Sequence, residues 1–525
     1  MDQEFSMDDP APLLKSASDF AYYPGFQNDA VCKEFLDRFP LPLIFSALQT
    51  KSDVPGLENT LVACLERIFK TKYGASFIPQ YMTFVQLGLK SDSQAVRCLS
   101  CRTVTSLLEN VNDETISPAQ LVIDSNIYPL LLDCLVNGDE QVATASMEAI
   151  KKFASFPKGI EVIFPENNED ATHLRNLSAQ CSSMGKVRVL SLIVKLFSVS
   201  ANVASAIHSS NLLSLLEAEV SKTDDTLVTL SILELLYELA EVQHGTEFLS
   251  RTTLIQLLSS IISDPSTDPI LISRGMTITG RLLSKENIYE FINESCVKTV
   301  ISAIDGRIGL ESQDLDECEC ALEALGQIGL SAPGASLVLL SSPPAARHVI
   351  EAAFDRHSRG KQLAALHSLG NISGESRPEK NRILNVDAEE ILRILIYDLA
   401  SKTSKLTPSG LFLSVLQQDA DIRLAAYRMI TGLVARPWCL MEICSKQDIV
   451  NVVTDPITET TKMGMEARYN CCKAIHKELM SSSKLSSNPA IAGIAKKLQE
   501  AVSKGPYLTG KHREVQPAVK TAERF

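Results

Sequence analysis

An all-α array of helical repeats, wound as a right-handed α-solenoid, is the fold that this sequence predicts. Three observations predict it. Aliphatic anchor positions recur at a long, nearly constant period, a small residue often precedes them at one offset, and a glycine or asparagine often follows at another. Composition agrees: of 525 residues 45% are hydrophobic but only 6% aromatic, which favours aliphatic helix packing over a β-sandwich.

The segment SILELLYELAEVQHGTEFL (231–249) supplies the template, with Leu239 as anchor. Equivalent anchors are Ile68, Leu107, Phe153, Leu196, Leu239, Leu282, Ile328, Ile372 and Leu433, spaced by 39, 46, 43, 43, 43, 46, 44 and 61 residues. All but the last spacing match the ~40–47-residue period of HEAT and armadillo arrays. The long one predicts an insertion around 401–422.

Three residues before the anchors stand Leu65, Val104, Ile150, Ile193, Leu236, Thr279, Leu325, Leu369 and Ile430, aliphatic but for Thr279. Seven before them Ser100, Ser146, Gly275, Ala321, Ala365 and Ala426 are small, whereas Leu61, Val189 and Ile232 are not. Positions i, i+4 and i+7 share one helix face, so these residues predict a helix that a neighbour can approach closely. Gly74, Gly159, Gly245 and Gly334, with Asn202, lie six residues past an anchor and predict helix C-termini or inter-helix turns. Gly326 and Gly329 are expected at turns as well. Between anchors two further helical patterns fit, such as ASLVLLSS and AARHVIEAAFDR after Ile328. Three helices per unit resemble the armadillo repeat more than the two-helix HEAT repeat, and ALHSLGNIS (365–373) is close to a third armadillo helix.

Such repeats bury their apolar faces only against one another, so residues 27–500 are expected to form a single continuous armadillo/HEAT-like solenoid. Residues 1–26 are expected as a flexible N-terminal tail or partial cap, and 501–525 as a polar C-terminal tail. A capping helix over 27–50 is expected to break at FPLP (39–42). Pro437 is expected to end the ninth anchor helix. Trp438, the one tryptophan of the chain, should then fall in a turn and seal the last repeat against the C-terminal helices.

The net charge of −13 argues against nucleic acid as a partner. No run approaches the ~20 apolar residues of a membrane helix, and the acidic start MDQEFSMDDP does not read as a secretory signal. Thirteen cysteines scattered through helical patterns fit a reducing compartment, so the expected location is the cytoplasm, with the nucleus as a second one. Cys98 and Cys101 form a lone CxxC and read as core positions rather than metal ligands.

No P-loop, nucleophile elbow, HExxH or kinase signature occurs, and the eight histidines are dispersed. The chain therefore reads as a non-enzyme without a cofactor or metal, a monomer by itself, acting through the face lined by its third helices. The residue before each anchor should point into that face: Arg67, Ser106, Lys152, Lys195, Glu238, Arg281, Gln327, Asn371 and Gly432. Of these Arg67, Lys152, Lys195, Glu238, Arg281, Gln327 and Asn371 are the candidate partner-binding residues. Nuclear import adaptors of the armadillo type carry a ladder of asparagines here to grip an extended peptide. Only Asn371 matches, while four basic residues suit an acidic or mixed-charge folded surface.

The C-terminal third narrows the reading. LFLSVLQQDADIRLAAYRMITGLVARPWCLMEIC (411–444) resembles the corresponding block of the 26S proteasome non-ATPase regulatory subunit 5 family, in which a Pro-Trp also follows the last anchor. MGMEARYNCCKAIHKEL (463–479) and IAKKLQEAVSKGPYL (494–508) are similar to the family's next and terminal helices. The resemblance is concentrated in 407–508. It implies an assembly chaperone for the base of the proteasome regulatory particle. Such a protein binds the C-terminal domain of one ATPase ring subunit, together with base-module subunits, and blocks early docking on the core particle. An armadillo-type adaptor or scaffold in transport, signalling or ubiquitin ligation, unrelated to the proteasome, is the alternative.

Overall fold

The computed structural model describes residues 10–25, 28–50, 54–110, 117–165, 173–220, 225–242, 253–308, 314–481 and 489–507. Among them every regular element is an α-helix or 3-10 helix, as the periodicity predicts. The chain forms two compact units, Met1–Thr252 and Thr253–Phe525.

Every predicted anchor sits in the last turn of a helix. In the first unit these helices are Leu57–Lys70, Gln94–Asn110, Glu140–Phe153, Ser183–Phe197 and Thr226–Glu241. In the second they are Pro269–Leu283, Leu315–Ile328, Arg359–Ile372 and Ala420–Leu433. All nine anchors are at most 1% exposed, and each fully buried aliphatic side chain contributes roughly 1.5–3 kcal/mol. Thr279, the polar exception three before its anchor, is also buried, and its hydroxyl donates to the Gly275 carbonyl at 2.8 Å. Six of the nine start alike: Asp139, Ser182, Asp225, Asp268, Asp314 and Asp419 accept a backbone N–H from the first turn through their side chains.

Within each unit successive anchor helices pack against one another. In the second unit the series continues into Lys462–Ser481 and Pro489–Lys504. In several repeats two shorter helices separate the anchors, as in Ala332–Leu340 and Ala346–Phe354 before Arg359–Ile372.

Several expectations are corrected. Gly74, Gly159 and Gly334 are not in turns: each lies at the start of the short helix after an anchor, where a Cβ would overlap the carbonyl of Ile68, Phe153 or Ile328. A side chain at this position would push the returning helix off its anchor. Gly245 lies outside the described residues. Gly326 stands inside its helix, facing the next repeat, and Gly329 caps the same helix.

The segment 401–422 is not the insertion, because it holds the ordinary second helix, Pro408–Leu416. The extra residues come earlier. Ala332 opens its helix four residues past Ile328, whereas Val386 opens the equivalent helix fourteen past Ile372 and runs 17 residues instead of 9. Buried arginines pin the added loop. Arg377 Nη2 donates to the Ile372 carbonyl at 2.5 Å, and Arg436 Nη1 to the Ser373 carbonyl at 2.9 Å. Gly374 takes a left-handed φ of +86° beneath the Arg377 guanidinium.

The described part of the N-terminal stretch is no loose tail. Ala11–Ala21 is a helix that buries Leu13, Ala17, Phe20 and Ala21 and packs on Leu57–Lys70. Asp29–Arg38 and Leu41–Thr50 follow, divided at Phe39–Pro40 as the FPLP motif predicts. At the other end the last helix runs on to Lys504 and stops at Gly505, whose φ is +78°. Residues 508–525 lie outside the described part.

Pro437 begins a helix rather than ending one. Ala420–Leu433 has already stopped at its anchor, and Pro437 is the first residue of Pro437–Ser445. Trp438 is half-buried and meets Tyr397 of Val386–Lys402 edge-on, with ring centroids 5.7 Å apart. Its ring contact is thus with the preceding repeat.

All thirteen cysteines are free thiols, ten of them buried. Cys98 and Cys101 lie buried in one helix, as core positions should. Among the described residues no single helix is long and apolar enough to cross a membrane, although one bent pair, Pro118–Asp124 with Ile127–Asn137, passes that test by length and composition.

Candidate partner-binding grooves

In the second unit four consecutive anchor helices line a groove of about 660 Å³. Pro269–Leu283 contributes Thr277 and Arg281, Leu315–Ile328 contributes Glu323 and Gln327, and Arg359–Ile372 contributes His367 and Asn371. Ala420–Leu433 contributes Arg428. Three of the seven predicted residues, Arg281, Gln327 and Asn371, thus line one surface at the predicted register.

Arg428 organises one end of the groove. Its Nη1 lies 2.8 Å from His367 Nδ1, and its Nη2 reaches Asn371 Oδ1 at 3.3 Å and Glu375 Oε2 at 3.0 Å. Glu375 belongs to the added loop, so the insertion and Asn371 are tied to the same guanidinium. Burial, and then the Arg428 charge, hold the His367 imidazole below its usual pKa. Farther along, burial and the neighbouring Glu319 carboxylate raise Glu323 above the usual carboxylate range. The surface thus presents arginines, carboxylates and amides together.

The first unit treats the same register differently. Arg67 Nη1 donates to the carbonyls of Tyr23 at 2.7 Å and Gly25 at 3.4 Å, so it holds the N-terminal segment. Lys152 pairs with Glu109 at 3.2 Å. Lys195 and Glu238, both predicted to face a partner, pair with each other at 2.7 Å. The basic excess read from the sequence is therefore matched by internal acceptors. Ser106 is buried at the edge of a groove of about 700 Å³ that also holds Glu66, Arg102, Glu109 and Glu148. Burial alone would raise Glu66, but hydrogen bonds from Lys70 and the charge of Arg102 outweigh it and lower its pKa. Gly432 makes a tight backbone contact instead of facing a groove, since a Cβ there would lie 2.9 Å from Ser373 Cβ.

Thr277, Glu323, His367 and Arg428 were missed by the sequence reading, yet each stands five residues before its anchor. They are the i−4 neighbours of the predicted row and share its helix face. Extending that row by one turn would have found them. Among the described residues no group of His, Cys, Asp or Glu could hold a metal ion.

The family model of the proteasome non-ATPase 26S subunit matches residues 41–523. The 26S proteasome non-ATPase regulatory subunit 5 of Bos taurus is 21% identical over 454 residues, covering 85% of this chain and 84% of that protein. Its counterpart in Homo sapiens is 21% identical over 451 residues, with 85% and 84% covered. Among solved structures, the karyopherin Kap121p, bound to the extreme C-terminus of the protein phosphatase Cdc14p, superposes with a TM-score of 0.47 at 13% identity. That match covers 96% of this chain and 55% of that one.

Proposed function

The chain belongs to the proteasome non-ATPase 26S subunit family, and from that premise we propose that it is a non-catalytic assembly chaperone for the base of the 26S regulatory particle. It holds the C-terminal domain of an ATPase ring subunit and blocks premature docking on the core particle. Its place of action is the cytoplasm, with the nucleus as a second compartment.

The observation that carries this reading is the groove of the second unit. Four repeat helices offer Arg281, Glu323, Gln327, His367, Asn371 and Arg428 side by side. A mixed-charge surface of this kind suits a folded domain, whose exposed side chains carry both signs. A peptide-gripping face would need a row of asparagines, and Asn371 is the one asparagine among the residues lining this groove. Chaperone action further requires tighter binding to the immature module than to the finished particle. A steric clash between the chaperone and the core particle would supply that difference.

Affinity purification of the full chain with mass spectrometry tests the reading. Base ATPases without stoichiometric core-particle subunits are expected. Arg281→Glu with Arg428→Glu should abolish their capture while leaving the first unit folded. Import receptors or ubiquitin-ligase subunits in place of ATPases would overturn it and favour an adaptor.

A further inference from the structure

Near the start of the first unit lies a cavity of different character, about 440 Å³ in volume. It opens between Leu41–Thr50, Leu57–Lys70, Met82–Leu89 and Gln94–Asn110. We propose that it is a docking site for a large apolar side chain of a partner protein, carried beside a lysine or arginine.

Three aromatic rings form one wall. Phe45 and Phe84 stack with centroids 4.5 Å apart and 17° between planes, and Tyr81 lies 5.3 Å from Phe45 and 6.0 Å from Phe84. Leu48, Leu65, Ile78 and Leu99 complete an apolar lining. Leu87, 55% exposed, stands among the lining residues. The size lies within the range of sites that enclose small ligands, which comfortably admits a phenylalanine or leucine side chain.

The charges choose the occupant. Glu58 and Asp92 both line the cavity, and no lysine or arginine does. Ser93 Oγ donates to Glu58 Oε1 at 2.6 Å, which holds Glu58 beside the turn that carries Asp92. Among the described residues neither carboxylate pairs with a cation, in contrast to Glu66 on the same helix, which pairs with Lys70 and Arg102. Two carboxylates beside an apolar cavity, unpaired among the described residues, select against an acidic amphiphile and for an apolar anchor flanked by a cation. Aromatic rings next to them add attraction for an ammonium or guanidinium group. The site is separate from the groove of the second unit, and its existence does not depend on the chaperone reading.

The test uses the full chain and three blocked, fluorescein-labelled peptides followed by fluorescence anisotropy. One carries phenylalanine flanked by arginines, one phenylalanine flanked by glutamates, and one glycine flanked by arginines. The Phe-Arg peptide should bind saturably and roughly fivefold or more tighter than either of the others. Glu58→Gln with Asp92→Asn should reduce the preference over the Phe-Glu peptide to about one. Val96→Phe, which fills the cavity, should weaken the Phe-Arg peptide by about tenfold or more. Because the double charge variant alters side chains at the edge of the cavity, it remains a valid test even if Val96→Phe fails to fold. Equal binding of the Phe-Arg and Gly-Arg peptides would reduce the effect to the chain's net charge of −13 and overturn the proposal. So would equal binding of the Phe-Arg and Phe-Glu peptides.

Discussion

Two residues before the anchor, the first unit carries Glu66, Thr105, Lys151, Val194 and Tyr237, whereas the second carries Gly280, Gly326, Gly370 and Thr431. At two of these glycines the next repeat leaves no space for a side chain. A Cβ on Gly326 would lie 2.6 Å from Ser368 Cα, and one on Gly280 would lie 3.0 Å from Ala324 Cα. Among the described residues the most buried ion pairs also belong to the second unit. The second unit buries Arg–Glu pairs, with Arg436 and Glu389 3% and 18% exposed, Arg423 and Glu459 18% and 2%. Pairs such as Lys152–Glu109 and Lys195–Glu238 in the first unit stay at the surface. One repeat pattern thus supports two kinds of helix contact. In the second unit close backbone approach and desolvated charge fix the register, while in the first aliphatic burial works with solvated pairs. A groove lined by closely packed helices is better preorganised for a folded partner.

The largest expected effect comes from the buried charges. Arg436 donates to Glu389 through Nε and Nη2 at 2.7 and 2.8 Å and to the Gly432 carbonyl at 2.9 Å. Arg436→Met leaves Glu389 without this partner and should cost about 3–5 kcal/mol. Lys195→Met in the first unit should cost less than about 1 kcal/mol, since exposed pairs contribute little. Trp438 lies in the second unit, so urea unfolding followed by its fluorescence reads that unit, and hydrogen exchange reads the first. Equal losses in the two variants would break the comparison.

Glycine is the next lever. Gly326→Ala places a methyl against Ser368 and should destabilise the second unit by about 1–3 kcal/mol, although alanine is the better helix former. Thr105→Ala, at the equivalent place in the first unit, should stay within about 1 kcal/mol of neutral. If Gly326→Ala proved stabilising, the glycine would reflect composition and not close approach. Trp438→Ala comes third. A half-buried indole resting on Tyr397 should contribute about 1–2 kcal/mol, less than a fully buried one would. Calorimetry of the variant checks this.

What was legible follows from which interactions repeat. Anchors and their aliphatic partners recur because every repeat must bury the same stripe, and all nine anchors are buried. The Gly326–Ser368 contact joins two adjacent repeats, so no single repeat reveals it. Comparing the two halves of the anchor series at that offset does. The Ala11–Ala21 helix was missed because its apolar face is short and its partner, Leu57–Lys70, lies far along the chain. Lys152 and Lys195 were placed on the right helices, but their acceptors Glu109 and Glu238 come from neighbouring repeats. Half of the groove was visible as one row of residues, and the other half stood one helical turn before it.

The smallest effect is set by pH and belongs to the second unit. His367 sits between buried helix faces and Arg428, and burial and that charge together lower its pKa from the ordinary value of 6.5. The folded state therefore favours the neutral imidazole, while the unfolded chain takes up a proton as pH falls through the ordinary value. By linkage, the contribution of His367 to stability is complete above pH 6.5 and is lost as pH falls through that value toward the lower folded one. His367→Gln keeps a polar side chain beside Arg428 but cannot titrate. The wild-type chain should thus lose stability between about pH 7 and pH 5 more steeply than the variant, as read by Trp438 fluorescence in urea. Hydrogen exchange of the first unit should show no difference between the two proteins over the same range. Parallel slopes in the second unit would mean that Arg428 and Glu375 compensate each other at the imidazole, and the end of the groove would then be insensitive to protonation.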